Sequence, residues 1–153
     1  SAVANNGMML QPYVVDYSLR PSGGIRNRTI PEKLNQAISP DLAEQIKGLM
    51  EGVVESGTAT NAPFSVSGQI DTDNSISGSS ATKAAYSGEI KVAGKTGTAE
   101  NPQGDDHAWF VAFAPADEPK IAVAVLLENA GKGSNAIPAG REIMKEYIQN
   151  LAG

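Results

Sequence analysis

Apolar residues recur at spacings of three and four between Leu42 and Val53, through Ile46, Leu49 and Met50. That stripe predicts one amphipathic helix. Ser39 supplies an N-cap oxygen and Pro40 a first helical residue with no N–H to leave unpaired. Asp41 and Glu44 put negative charge near the positive end of the helix dipole, and Gly57 marks its close. A second stripe, Ile143, Met144, Tyr147, Ile148 and Leu151, predicts a final helix over Pro138–Leu151. Between them lie three extended segments: Glu89–Ala99, His107–Ala114 and Lys120–Asn129. Their connections, 101–106 and 115–119, are short and turn-rich, which permits antiparallel neighbours and no parallel crossover. The third segment is apolar on both faces, so both faces are expected to be covered.

The remaining pattern is weaker. Ala2–Gly7 reads as the last turn of a helix closed by Gly7. Met8–Tyr17 reads as an extended segment, and Ile25–Ile30 as a strand returning after the turn Pro21-Ser22-Gly23-Gly24. From Asn61 to Ser80 the sequence is rich in Ser, Asn, Asp, Thr and Gly with little periodicity, which predicts a long polar loop or insertion. The sum is an α+β layout, an antiparallel sheet flanked by helices.

Composition narrows the functions open to such a fold. The 153 residues suit one domain, and 41% hydrophobic content is enough for a core. Twelve Lys and Arg against seventeen Asp and Glu give a charge of −5, which argues against a nucleic-acid partner. There is no cysteine, hence no disulfide framework and no thiolate metal site. The longest apolar run, Ile121–Leu127, is far short of the roughly 20 residues of a membrane span. The chain opens on Ser1-Ala2-Val3 without Met, and the expectation is that residues precede it.

The most informative stretch is Gly94-Lys95-Thr96-Gly97-Thr98. It evokes a phosphate-binding loop, but the preceding Gly88 is one residue too far away, and Glu89–Ala93 reads as a strand. Ala99-Glu100-Asn101-Pro102 cannot start the helix a phosphate would need. On a strand, Lys95, Gly97 and Ala99 share one face and Thr96 and Thr98 the other. A cation, two hydroxyls and a small Gly97 beside exposed backbone suit an extended peptide ending in a carboxylate, and equally a solvated strand edge with no ligand. Other candidates carry less. Asp105, Asp106 and His107 are consecutive in a turn, where side chains diverge, so a metal is not expected. His107 has no partners spaced for a triad, and Asp71 and Asp73 lack the calcium-loop consensus. Trp109 and Phe110 read as strand core straddling both faces.

Lys95-Thr96-Gly97 is one of three signatures shared by penicillin-binding proteins and serine β-lactamases. Residues Lys91–Glu100, followed by Ala108–Pro115, resemble the transpeptidase domain of class B penicillin-binding proteins. Ala4–Gly7 with Met9–Pro12, and Glu51–Val54 with Ser56–Ala59, are similar to further segments of that family. The resemblance leaves out chiefly 61–80.

It implies a penicillin-binding, β-lactamase-like fold of which residues 1–153 are the C-terminal portion, with an insertion at 61–80. The implied activity is a peptidoglycan D,D-transpeptidase working through an acyl-serine intermediate. Stem peptides ending in D-Ala-D-Ala and β-lactam antibiotics would be its ligands. By the same resemblance Lys95, Thr96, Gly97 and Thr98 bind substrate: Lys95 holds the carboxylate and supports proton transfer, the threonine hydroxyls bond ligand oxygens, and the Thr98 N–H is an oxyanion donor. Such donors contribute about 2.7–4 kcal/mol each. Neither cofactor nor metal is implied. The nucleophile motif S-x-x-K occurs only as Ser80-Ala81-Thr82-Lys83, too near Lys95 and too poor in apolar residues to be the buried catalytic helix, and S-x-N does not occur. The nucleophile is therefore expected outside this chain, which alone is expected to be inactive. The implied partners are the N-terminal part of the same domain and the cell-wall synthesis machinery, on the extracytoplasmic face of a membrane with the anchor upstream. A β-lactamase or β-lactam sensor of the same fold, or a non-catalytic scaffold, are the alternatives.

Overall fold

A computed structural model describes residues 1–71 and 83–151. Its chain forms two compact units, Ser1–Gln45 and the residues from Ile46 onward.

In the first unit, Val3–Asn5 is a single 3-10 turn, left through Asn6 and Gly7 at positive φ. Gly7 is required there: a Cβ would lie 2.0 Å from the carbonyl oxygen of Ile38. Strand β1 (Met8–Leu10) pairs antiparallel with β4 (Lys33–Gln36), a strand that the sequence pattern does not predict. Within 8–17 only β1 and the first residue of β2 are strand. Strand β2 (Tyr17–Leu19) and β3 (Ile25–Arg28) form the expected hairpin. Helix α1 (Pro40–Ser56) begins as predicted, with the Leu42 N–H donating to Ser39 Oγ at 3.2 Å.

The second unit holds the core. Strand β5 (Phe64–Asp71) pairs antiparallel with β6 (Lys83–Ile90). The expected loop at 61–80 is thus corrected over its first half, because Phe64 and Val66 alternate with polar residues and bury themselves. Residues 72–82, which include Ser80, Ala81, Thr82 and Asp73, lie outside the described residues. The segment 89–99 is likewise not one strand: Lys91 and Val92 separate β6 from β7 (Ala93–Ala99), and the Lys91 carbonyl accepts from the Ala116 N–H.

Strands β7, β8 (His107–Ala114) and β9 (Ile121–Leu127) form an antiparallel sheet in that order. Rows Thr96–Phe110–Val125 and Gly94–Ala112–Val123 cross it on one face. Helix α2 (Ile137–Leu151) covers that face with Met144 and Ile148, both fully buried with Phe110. The helix comes close because Gly140 has no side chain; a Cβ would sit 2.6 Å from Phe110 Cδ1. The opposite face, rows Lys95–Val111–Ala124 and Gly97–Trp109–Leu126, stays partly open, with Trp109 39% and Leu126 42% exposed. The expectation that β9 is covered on both faces is corrected: its apolar run meets helix α2 on one side only, and Leu126 lies open on the other.

Candidate functional site

Strand β7 is the edge of its sheet among the described strands, so one side of the Lys-Thr-Gly backbone is unpaired by any of them. Alternation sorts its side chains as the sequence implies. Lys95, opposite Val111, is exposed, and its Nζ donates to the neighbouring Thr96 carbonyl. Thr96 is 8% exposed, and its Oγ1 lies 2.5 Å from Thr58 Oγ1 in the turn that follows α1. One hydroxyl donates to the other, so a buried polar group is satisfied where Phe110 would otherwise surround it with hydrocarbon. Thr98 is exposed, and its Oγ1 accepts from the Gly133 N–H at 3.0 Å.

The two threonine hydroxyls therefore differ. Thr96 is held inward, while Thr98 stands at the surface with its own proton uncommitted to the Gly133 N–H. Gly97 is half-buried opposite Trp109, and a Cβ there would meet Trp109 Cβ at 3.4 Å, ordinary contact. Small size at 97 is thus not forced by Trp109. Neither Thr58 nor Gly133 is recognisable from sequence. They lie 38 residues before Thr96 and 35 after Thr98, and only the tertiary fold brings them to β7.

Other candidates disperse. His107 Nδ1 accepts from the Asn129 N–H at 3.0 Å, a bond between the start of β8 and the residues after β9, and Asp105 is exposed beside it. No group of three His, Cys, Asp or Glu side chains converges as for a metal among the described residues. Lys83 opens β6, so the S-x-x-K run ends at a strand. Phe110 is core, whereas Trp109 is only half buried, which corrects the expectation of core on both faces. A cleft of about 380 Å³ lies elsewhere, between the end of α1 and the β6–β7 junction, lined by Glu51, Glu55 and Lys91 among others. It touches none of Lys95, Thr96 or Thr98. No helix among the described residues is long and apolar enough to cross a membrane.

An antiparallel sheet with Lys-Thr-Gly-Thr on its edge strand and a C-terminal helix packed behind it defines an α+β fold built to present one extended edge. Comparison with known proteins says which one. The penicillin binding protein transpeptidase domain matches residues 1–148, and the chain belongs to this family. It is 33% identical over 153 aligned residues to the peptidoglycan D,D-transpeptidase PbpA of Mycolicibacterium smegmatis, an alignment spanning 92% of this chain and 26% of PbpA. Among solved structures it is similar to penicillin-binding protein A from M. tuberculosis in its imipenem acyl-enzyme complex. There the TM-score is 0.73 with 32% identity, over 97% of this chain and 28% of that one. A D,D-transpeptidase domain from Eggerthella lenta aligns with a TM-score of 0.71 and 34% identity, over 98% of this chain and 30% of that one. The chain therefore spans little more than a quarter of the length of its PbpA relatives.

Proposed function

We propose that residues 1–153 are the C-terminal portion of a serine D,D-transpeptidase domain and supply its substrate-carboxylate edge. The observation that carries this reading is an exposed Lys95 and an exposed Thr98 on a sheet edge, within a chain whose family and solved relatives include β-lactam acyl-enzymes. Lys95 attracts the terminal carboxylate of a D-Ala-D-Ala stem peptide, or the carboxylate of a β-lactam, and supports proton transfer at the serine. The Thr98 hydroxyl donates to that carboxylate, and the Thr98 N–H donates to the oxyanion that forms on the attacked carbonyl. Thr96, being inward, contributes its hydroxyl from beneath.

The serine and lysine of S-x-x-K come from outside this chain. Serine Oγ attacks the carbonyl of the penultimate D-Ala and its proton passes to the base. The peptide bond then breaks with D-Ala leaving as the protonated amine. An amine of a second stem peptide resolves the acyl-serine and forms the cross-link. The half-open sheet face around Trp109, Val111 and Leu126 is where the rest of the domain packs. The site faces the outside of the membrane, in company with the cell-wall synthesis machinery. Neither metal nor cofactor takes part.

The test is turnover. The complete domain, incubated with a stem pentapeptide, is expected to release D-Ala and to form a cross-linked product when an acceptor amine is present. Release of no D-Ala together with steady hydrolysis of penicillin would overturn transpeptidation in favour of a β-lactamase.

A further inference from the structure

The turn before α2 touches the Lys-Thr-Gly strand in two ways. Gly131 adopts φ +72°, Lys132 is extended, and Gly133–Ala136 forms one 3-10 turn with Gly133 buried. That path drops Gly133 directly on β7. A Cβ at 133 would lie 2.3 Å from the Gly97 carbonyl oxygen and 2.8 Å from its carbon, closer than side-chain atoms approach. The Gly133 N–H also donates to Thr98 Oγ1 at 3.0 Å. One residue thus presses on Gly97 and bonds Thr98, the last two residues of the motif.

A hydroxyl has two acceptor lone pairs and a single proton. Accepting the Gly133 N–H occupies a lone pair, fixes the Thr98 side chain and directs its O–H elsewhere. It also polarises that O–H, since hydrogen bonds in a chain strengthen one another. Thr98 is exposed, so an acceptor arriving from outside the chain can reach its O–H. We infer that Gly133 is a positioning residue: its N–H and its lack of a side chain set the Thr98 hydroxyl as a donor toward a ligand carboxylate. This rests on the transpeptidase reading, because it presumes that a carboxylate binds at Thr98.

Two measurements separate the inference from that reading. In the 153-residue chain, hydrogen exchange at the Gly133 amide is expected to be slow, to quicken by about tenfold in Thr98→Val and to stay slow in Thr98→Ser, as loss of one hydrogen bond dictates. Ser134→Ala, in the same turn, should leave it unchanged. In the complete domain, acylation by penicillin G is compared with acylation by its methyl ester, which lacks the carboxylate charge. Gly133→Ala is expected to lower the acid-to-ester rate ratio by about tenfold, again one hydrogen bond's worth, and to lower it no further in a Thr98→Val background. Unaltered Gly133 exchange in Thr98→Val would overturn the inference. So would a Gly133→Ala effect equal for acid and ester, which is what general damage to the sheet produces. If the unsubstituted domain is acylated by neither ligand, the transpeptidase reading fails, and the exchange measurement alone decides whether Gly133 holds Thr98.

Discussion

Phe110 shows how single residues set the geometry of the strand beside it. It is fully buried opposite Thr96, and both Gly94 and Gly140 are shaped to its ring, with Cβ positions 3.0 and 2.6 Å from ring atoms. Phe110→Ala should therefore cost about 3–5 kcal/mol of stability in urea unfolding. The Thr58–Thr96 pair is a smaller term. Thr58→Val leaves the Thr96 hydroxyl without that partner and should cost about 1–3 kcal/mol, whereas Thr58→Ser should restore most of it. A loss in the serine variant with none in the valine variant would show that the methyl, and not the hydroxyl, matters.

At the scale of elements, the helices and the β7–β9 sheet were legible because their apolar positions repeat with clean periods. Helix α1 starts where Ser39 and Pro40 say it must, and Ser39→Ala should lower stability by about 1 kcal/mol through loss of the Leu42 N–H contact. The check is urea unfolding together with helix content by circular dichroism. Strand β5 was hidden by composition, although Phe64, Val66 and Ile70 do alternate with Ser65, Ser67 and Asp71. The polar face of that alternation reads as loop. Strand β4 (Lys33–Gln36) escaped because its side chains are all exposed, leaving no hydrophobic signal to read. The break between β6 and β7 escaped for the opposite reason. Ile90, Val92 and Ala93 are all buried, so the apolar run hides the two residues where pairing changes.

At the scale of the whole molecule, the candidate site was half legible. The motif identified Lys95, Thr96, Gly97 and Thr98, and strand alternation sorted their faces. The unequal burial of the two threonines, and the supports from Thr58 and Gly133, depend on contacts between remote segments that no local pattern encodes. The open sheet face belongs to the same scale. Trp109 is the chain's one tryptophan and is 39% exposed, so its fluorescence reports on that face. In the 153-residue chain it should be quenched by iodide and emit at long wavelength, and in the complete domain it should shift to the blue and lose that quenching. Identical spectra in the two would mean that nothing packs there.

Under the proposed function this chain provides the carboxylate-binding strand for a serine that it does not itself carry. Mapping the adduct of a fluorescent penicillin on the complete domain, with and without Lys95→Ala, tests it most directly. The label should fall on a serine outside residues 1–153, and Lys95→Ala should slow labelling by about tenfold to a hundredfold, the range for a hydrogen bond to a charged group. The 153-residue chain alone should take up none. Label on Ser80, or labelling unaffected by the loss of Lys95, would contradict the account.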